Sequence, residues 1–157
     1  MIGVRWRSSV AVIALVAAAC ASTPQAPHKQ DAEAKRFLAD RRLATVYVYR
    51  ADFGRDSIDD PIESVLYADE RLIGSTLPGT YFVVRLPTGM HTLSGIADDQ
   101  GRLEIDVLPG QIYFVSLSVA SGQSWFRRVS VETGERELRA CCVLLENWAP
   151  HQRPFWR

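Results

Sequence analysis

The sequence predicts a mainly β protein, a small antiparallel β-sandwich with a short N-terminal helix and a short C-terminal helix. Eight segments are rich in β-branched and aromatic residues, as strands are. Turn-forming pairs such as Pro78-Gly79 and Pro109-Gly110 separate several of them, because proline presets φ and glycine accepts a positive φ. Short strands at this spacing favour a sandwich or barrel over a parallel α/β sheet. The predicted strands cover residues 45–50, 62–68, 71–74, 81–86, 91–97, 102–108, 112–119 and 125–133.

The first strand is expected at the centre of a sheet. Residues 45–50 read TVYVYR and are apolar on both faces, which is typical of a strand covered on both sides. In a half-covered strand, alternate residues face the core. The residues expected to face inward are Val46, Val48, Leu66, Ala68, Phe82, Val84, Ile105 and Val107.

A hairpin is predicted where residues 62–68 and 71–74 meet through Asp69-Glu70. A tight two-residue turn requires positive φ at both central positions, which suits glycine better than glutamate. We therefore expect either a strained Glu70 or a longer loop.

Helices are expected before and after the strands. Asp31 has the side chain of an N-cap, and apolar residues follow at helical spacing, so a short helix is predicted within residues 31–43. Residues 135–145 have high helix propensity and are expected to form a short helix or an edge segment.

The N-terminus has the layout of a secretory signal. Arg5 and Arg7 precede an unbroken apolar run, residues 10–19, which is too short to cross a membrane as a helix. The following sequence AAAC, ending at Cys20, is similar to the lipobox of bacterial lipoproteins, although the lipobox prefers Leu where Ala17 stands. We expect residues 1–19 to be removed as a signal peptide and Cys20 to carry the lipid, palmitate included. The alternative is an ordinary signal peptide followed by a chance cysteine.

The segment after the cysteine is predicted to be a flexible tether. Residues 20–30 are polar and contain two prolines, so they bury too little apolar surface to offset the entropy of ordering. No aspartate follows Cys20 directly, which favours the outer membrane over the inner and a protein facing the periplasm.

Composition limits the classes of partner. Removal of the 19-residue leader leaves 138 of the 157 residues, room for one domain, which we place at residues 44–146. The formal net charge is +0, so no basic face is expected. Binding to nucleic acid depends on such a face, and a nucleic-acid partner is therefore not predicted.

The sequence contains no recognisable catalytic constellation. No nucleophile elbow, phosphate-binding loop or dinucleotide-binding turn occurs in it, and its three histidines lack metal-ligand spacing. We predict that the protein is not an enzyme and has no catalytic residue, metal site or cofactor. His91 is expected to close a turn or to bond to a backbone carbonyl.

Two clusters leave a minor alternative open. The acidic loop could in principle hold Ca²⁺, but its order fits no calcium loop and a solvated loop is favoured. Cys141 is expected to be buried and Cys142 half exposed, with a redox switch or an intermolecular disulfide as alternatives. The acidic loop comprises Asp52, Asp56, Asp59, Asp60 and Glu63.

The chain ends in an aromatic and basic tail, residues 147–157, which contains two prolines. Its sequence is NWAPHQRPFWR. Proline disfavours a continuing helix, so the large rings cannot depend on a regular element for burial. The tail either folds back to cover an open sheet edge or face, or acts as a recognition segment, since Trp and Arg dominate the energetic centres of interfaces. The candidate partner-binding residues are Trp148, Arg153, Phe155 and Trp156.

Six motifs occur in order along the body of the chain: VYVYR from Val46, LYAD and LIG around the hairpin, GTYFVV from Gly79, PTGMHTL from Pro87, PGQIYFV from Pro109 and ETGERELRAC from Glu132. In these motifs the chain resembles an uncharacterised bacterial lipoprotein family, known as domain of unknown function 2846. The resemblance implies a transthyretin- or carboxypeptidase-regulatory-like sandwich on a lipoprotein leader. It implies no catalytic residues.

The function expected from these observations is that of a lipid-anchored envelope protein acting without catalysis, as a protein-interaction or envelope-structural module. The membrane is its expected partner through Cys20, and another envelope protein is a candidate. A small-ligand-binding sandwich is the alternative, and a hydrolase or thiol-redox enzyme is the more remote one.

Overall fold

The computed structural model describes residues 23–52, 61–95 and 101–146, and they form the predicted mainly β fold with one short helix near each end. The predicted leader, Cys20 and the tail lie outside the described residues. In chain order the elements are α1 (His28–Ala34), β1 (Ala44–Arg50), β2 (Ser64–Ala68), β3 (Arg71–Thr76), β4 (Thr80–Leu86), β5 (Gly89–Ser94), β6 (Arg102–Val107), β7 (Ile112–Ala120), β8 (Gln123–Val129), α2 (Val131–Cys141) and β9 (Val143–Leu144).

The strands form a two-sheet sandwich. One sheet has the strand order β8-β7-β1-β4-β9, and the other has the order β3-β2-β5-β6. Most neighbouring strands are antiparallel, as predicted, but β1 and β7 are parallel, and so are β4 and β9. The strand β1 lies in the centre of the five-stranded sheet and every one of its residues is buried, which confirms the expectation from its sequence.

The space between the sheets is an aliphatic core. All eight residues predicted to face inward belong to it, with Leu86, Leu93, Val115 and Leu117 among their neighbours. At one end of this interior the fully buried Arg50 donates from Nη1 to the carbonyl oxygens of Ile62 (2.7 Å) and Thr76 (3.1 Å). The arginine thus connects the end of β1 to the polypeptide of the opposite sheet.

The hairpin between β2 and β3 is tight. Ala68 pairs with Arg71, and the two residues between them adopt φ values of 49° at Asp69 and 63° at Glu70. Of the two outcomes expected from the sequence, the structure has the short turn, with Glu70 in the left-handed region that costs a side chain about 1–2 kcal/mol.

The outer face of the five-stranded sheet is covered by both helices, which gives the molecule a third layer. Phe37 contacts Tyr47 and Phe114 edge to face, with ring centroids 5.2 Å and 5.4 Å apart. Leu138 of α2 is buried in the same cluster. Gly134 lies directly against Phe114, where an added methyl group would overlap the ring.

Both helices are displaced from their predicted positions. The first was expected to start at Asp31 but begins at His28 after Pro27, and its Asp31 side chain bonds to other elements instead of capping. The second was expected from residue 135, with a strand continuing to 133. Instead β8 ends at Val129, because Ser130 caps α2 by accepting the amide hydrogen of Thr133 at 3.2 Å.

Candidate functional site

The described parts of the chain just before α1 and around β9 are bound to each other along one side of the sandwich. The amide of Ala26 donates to the carbonyl of Leu144 (2.8 Å), and the amide of Glu146 donates to that of Pro24 (2.9 Å). A β-bridge joins Gln25 to Leu145 between these two bonds. Residues 24–26 and residues 144–146, which precede the tail, therefore lie side by side.

This pairing corrects the predicted tether. Residues 23–30, expected to be flexible, form a bridge to Leu145 and the first turn of α1, and Thr23 Oγ1 accepts a hydrogen bond from the Ser75 amide at 2.7 Å. The segment is polar, but its backbone covers the edge strand β9, and the Thr23 side chain contacts the edge strand β3. A polar segment can be ordered by hydrogen bonds from its backbone to an exposed sheet edge. Amino-acid composition alone does not predict such pairing.

Three tyrosines on the outer face of the sheet fasten the helices to it. Tyr47 donates to the carbonyl of Ala34 at 2.8 Å, Tyr49 to Oε2 of Glu137 at 2.6 Å, and Tyr81 to Oδ1 of Asp31 at 2.9 Å. Burial raises the pKa of Tyr47 to about 12. Burial and the facing carboxylates also raise the pKa of Tyr49 and of Tyr81, so all three hydroxyl groups remain donors at neutral pH.

Asp31 is the centre of this docking network. Its carboxylate accepts hydrogen bonds from Tyr81, from the Leu144 amide (2.9 Å) and from Lys35 Nζ (2.9 Å). Lys35 also donates to the carbonyl of Cys142 at 2.6 Å. Burial alone would raise the pKa of Asp31, but these three hydrogen bonds outweigh it and hold the pKa below its ordinary value. The network joins α1, β4 and β9.

A groove of about 1130 Å³ lies beside this network, on the outer face of β1 and β4. Thr45 and Val83 line it from the sheet, Leu38 from the segment after α1, and Glu146 from the end of β9. Leu38 is 58% exposed. The groove thus has a lining of both apolar and charged side chains, and it adjoins the point at which the tail begins.

His91 has the bonding partner that sequence analysis could not find. Its Nδ1 lies 2.6 Å from Oδ2 of Asp69, and its Nε2 lies 2.8 Å from the carbonyl oxygen of Pro87. The expected bond to a backbone carbonyl is confirmed. Asp69 also accepts the amide hydrogen of Thr92, so the pair joins the β2–β3 turn to β5 and uses both ring nitrogens for structural bonds.

The two adjacent cysteines differ from the expectation. Cys141 and Cys142 form a disulfide with each other, and Cys142, at 3% exposure, is the more buried of the two. The helical spacing assumed for them does not apply, because α2 ends at Cys141 and Cys142 has extended backbone angles (φ −122°, ψ 148°). That change of direction places Cys142 in the cluster around Tyr49 and Tyr81.

The remaining predicted site residues divide between the described chain and the rest. Trp148, Arg153, Phe155 and Trp156 lie outside the described residues, as do Asp56, Asp59 and Asp60 of the acidic loop. Glu63 accepts a hydrogen bond from the Ser75 hydroxyl at 3.0 Å. Within residues 23–52, 61–95 and 101–146, no group of three or more His, Cys, Asp or Glu side chains is arranged to hold a metal.

The candidate site is therefore the outer face of the five-stranded sheet in a small β-sandwich, where the helices pack and the groove lies. No family model matches the chain. It is similar to an uncharacterised protein of Haemophilus influenzae, with 28% identity over 133 residues that cover 83% of this chain and 77% of that protein. The description of that relative names no activity, and the resemblance to the lipoprotein family stays a prediction.

The chain segments that the structure describes include no helix with the length and apolar character needed to cross a membrane.

Proposed function

We propose that the protein is a lipid-anchored, periplasm-facing envelope protein that binds another envelope protein through its aromatic tail and performs no catalysis. The observation that carries this proposal is the pairing of residues 24–26 with residues 144–146. It starts the tail beside the polypeptide that comes from Cys20. An anchor and a recognition segment that start on the same side of the domain would both act close to the membrane.

The anchor would hold the domain close to the lipid surface. Two residues, Ala21 and Ser22, separate Cys20 from Thr23, which is already bonded to β3. An extended chain spans at most about 3.5 Å per residue, so the reach from Cys20 to Thr23 is about 10 Å. Proteins at or near the outer membrane are the class of partner that the tail would meet.

The composition of the tail supports recognition of a protein surface. Phe155 and Trp156 stand next to each other, and Arg153 and Arg157 flank them. Tryptophan and arginine are enriched among the residues that contribute most of the binding free energy of interfaces. Aromatic rings alternating with cations suit a partner whose surface combines apolar pockets with carboxylates.

The non-catalytic part of the proposal is supported by how the reactive groups of the described chain are used. Both nitrogens of His91 bond to neighbouring oxygens, and Cys141 and Cys142 are bonded to each other. Both nitrogens of His91 are therefore engaged, and neither of these two cysteines presents the free thiol beside a base that covalent catalysis by cysteine requires.

The groove gives a specific reason to retain small-ligand binding as a second candidate. Thr45 Oγ1 is buried there and has no hydrogen-bond partner among the described residues. However, the groove is larger than a typical small-ligand pocket of about 300–1,000 Å³, and its volume of about 1130 Å³ is open to the start of the tail.

The anchor is tested by replacing Cys20. The variant Cys20→Ser is expected to lose palmitate labelling and to appear uncleaved or in the soluble fraction. A second variant, Cys142→Ser, alters a cysteine of the domain and is expected to remain lipidated. Unchanged membrane association and labelling of Cys20→Ser would contradict the lipoprotein proposal.

The recognition segment is tested by crosslinking and co-purification from intact envelopes. Phe155→Ala combined with Trp156→Ala is expected to abolish a partner captured by the wild-type protein, at unchanged thermal stability. Trp125→Ala is the matched control, since Trp125 is an exposed tryptophan on β8. A partner set that is identical in all three proteins would refute the role of the tail.

A further inference from the structure

The disulfide between Cys141 and Cys142 joins neighbouring residues at the junction of α2 and β9. A disulfide stabilises a fold mainly by restricting the unfolded chain, and this effect grows with the length of the loop that the bond closes. The loop closed here contains no intervening residue. The bond is therefore expected to add little to the free energy of unfolding, and its main effect is on the local course of the chain between the helix and the strand.

The two bonded cysteines differ in their environments. Cys141 is partly exposed, whereas Cys142 is 3% exposed. Thiol–disulfide exchange requires an attacking thiolate to reach one of the two sulfurs, so attack is expected at Cys141. Cys142 Sγ lies 3.7 Å from the carbonyl oxygen of Arg50. This sulfur carries no hydrogen in the disulfide, but after reduction its S–H can donate to that oxygen. The fold thus accommodates the sulfur that reduction would release.

The backbone at Cys142 connects the disulfide to the elements around it. The Cys142 amide donates to the carbonyl of Leu138 at 3.1 Å, and the Cys142 carbonyl accepts a hydrogen bond from Lys35 Nζ at 2.6 Å. The next amide, that of Val143, donates to the carbonyl of Gly79 at 3.0 Å. A change in the backbone torsion angles at the disulfide therefore acts on α1 and on the first bond that holds β9.

We propose that the Cys141–Cys142 disulfide is a reversible redox site, which a dithiol protein of the cell envelope reduces, and that its redox state determines how firmly β9 is held. One thiolate of the dithiol attacks Cys141 Sγ, the S–S bond breaks, and Cys142 leaves as a thiolate that takes up a proton. The second thiolate of the dithiol then attacks the dithiol's own sulfur in the mixed disulfide and releases Cys141, which also takes up a proton. Two electrons and two protons pass to the protein, and the dithiol becomes a disulfide.

Reduction is expected to loosen β9 because little else holds this strand. The small ring closed by the disulfide includes the 141–142 peptide bond, so the torsion angles there are limited while the bond is intact. Reduction removes this limit. β9 pairs with β4 through only two residues, and residues 135–145 have high helix propensity. A helical continuation of α2 therefore competes with β9 in the reduced chain.

This inference goes beyond the proposed function, and the exchange step depends on neither the anchor nor the tail. Only its consequence for a partner rests on the proposed function, since the tail follows β9 in the chain. A protein whose β9 responds to reduction but which captures no envelope partner would contradict the proposed function and support the inference.

The predicted point of attack is tested with a matched pair of variants of the full-length protein in detergent micelles. Cys142→Ser leaves Cys141 as a thiol, and Cys141→Ser leaves Cys142 as a thiol. The two proteins are treated with N-ethylmaleimide, and labelling at each position is followed by mass spectrometry. Cys141 is expected to react at least about tenfold faster, because Cys142 is buried. Equal rates, or faster labelling of Cys142, would contradict attack at Cys141.

The response of β9 is tested by hydrogen exchange before and after treatment of the wild-type protein with dithiothreitol, without denaturant. The Leu145 amide, which donates to the Tyr81 carbonyl at 2.9 Å, is expected to exchange at least about tenfold faster after reduction. The Thr45 amide, which donates to the Gln111 carbonyl at 3.0 Å, is the internal control and is expected to keep its rate.

A variant without the disulfide separates its effect from other effects of the reductant. In the double variant Cys141→Ser/Cys142→Ser, dithiothreitol is expected to leave exchange at Leu145 unchanged. Failure of dithiothreitol to reduce the wild-type disulfide in the folded protein would overturn the inference. Equal exchange at Leu145 in the oxidised and reduced wild-type protein would overturn it as well.

Discussion

The two faces of the five-stranded sheet are both buried, but by different kinds of contact. The inner face includes Val46, Val48, Phe82 and Val84, which pack in the core between the two sheets. The outer face carries a cluster of aromatic rings, and three of its tyrosine hydroxyls bond to the helices. The inner face is stabilised by the burial of apolar surface. The outer face is stabilised by the burial of apolar surface together with directed hydrogen bonds.

The difference indicates which face mainly stabilises the fold and which face fixes the position of the segments that pack on it. The hydrophobic effect is non-directional, whereas a hydrogen bond fixes the relative position of its donor and acceptor. The outer face fixes α1, and through Asp31 it fixes β9, the element from which the tail starts. We therefore regard the inner face as the source of stability and the outer face as the part that positions the proposed anchor and tail.

The largest effect is expected on the inner face. Phe82→Ala removes a fully buried ring between the sheets and should lower the free energy of unfolding by about 3–5 kcal/mol. Tyr49→Phe on the outer face keeps the ring and removes one hydrogen bond, so a loss of about 1–3 kcal/mol is expected. Chemical denaturation measures the free energy of unfolding of both variants. Equal losses in that free energy would contradict the distinction between the faces.

Gly134→Ala sharpens the comparison on the outer face. Alanine normally stabilises a helix interior by about 1 kcal/mol relative to glycine, but here its methyl group would overlap Phe114. A net destabilisation of about 1–3 kcal/mol is expected from overpacking. Arg136→Ala, at an exposed position of the same helix, is the control and should change stability by less than about 0.5 kcal/mol. A more stable Gly134→Ala protein would show that α2 does not pack closely on the sheet.

The docking network should make stability depend on acid. The pKa of Asp31 is lower in the folded protein than in the unfolded chain, so the unfolded chain takes up this proton first as the pH falls. The stability contributed by Asp31 is complete near neutral pH and is lost as the pH falls below about 4. Asp31→Asn should be less stable at pH 7 and lose less stability on acidification. Glu33→Gln, an exposed carboxylate of the same helix, should retain the wild-type dependence.

The smallest effect is expected at the β2–β3 turn, and it is a gain. Glu70 has a φ of 63°, a conformation that glycine adopts without steric cost. Glu70→Gly should therefore raise the free energy of unfolding by about 0.5–1 kcal/mol. Asp69→Gly relieves a similar backbone angle but removes the bonds to His91 and Thr92, so it should destabilise. A destabilised Glu70→Gly protein would mean that the glutamate makes a contribution that its backbone angle conceals.

The sequence predicted the inner face well because alternation with a period of two reports burial directly. All eight expected core positions are in the core. Burial of the outer face was predicted at β1, where both faces are apolar. The hydrogen bonds of its tyrosines could not be deduced, since a tyrosine whose hydroxyl is bonded has the same pattern in sequence as any other strand tyrosine. The docking of residues 23–26 was missed for a related reason, because its hydrogen bonds come mainly from the backbone, which carries no sequence signal.

The candidate site was only partly predictable. His91 was correctly assigned a carbonyl partner, but Asp69 is 22 residues away in sequence and reaches it through strand pairing. The predicted burial of the two cysteines was the reverse of what the structure shows. The reason is that α2 ends between them, and helix boundaries are among the least certain predictions from sequence. The groove depends on which strand lies beside β4, and topology of that kind is not encoded in local pattern.

The central claim is that the tail beginning beside the anchored segment binds a partner near the membrane. Site-specific photo-crosslinking in intact cells tests it most directly, with the crosslinking residue placed at position 156 or, as the control, at the exposed position 125. The account predicts a discrete protein adduct from position 156, its loss when Cys20 is replaced by serine, and no such adduct from position 125. The same adducts from both positions, or none from position 156 in the anchored protein, would contradict it.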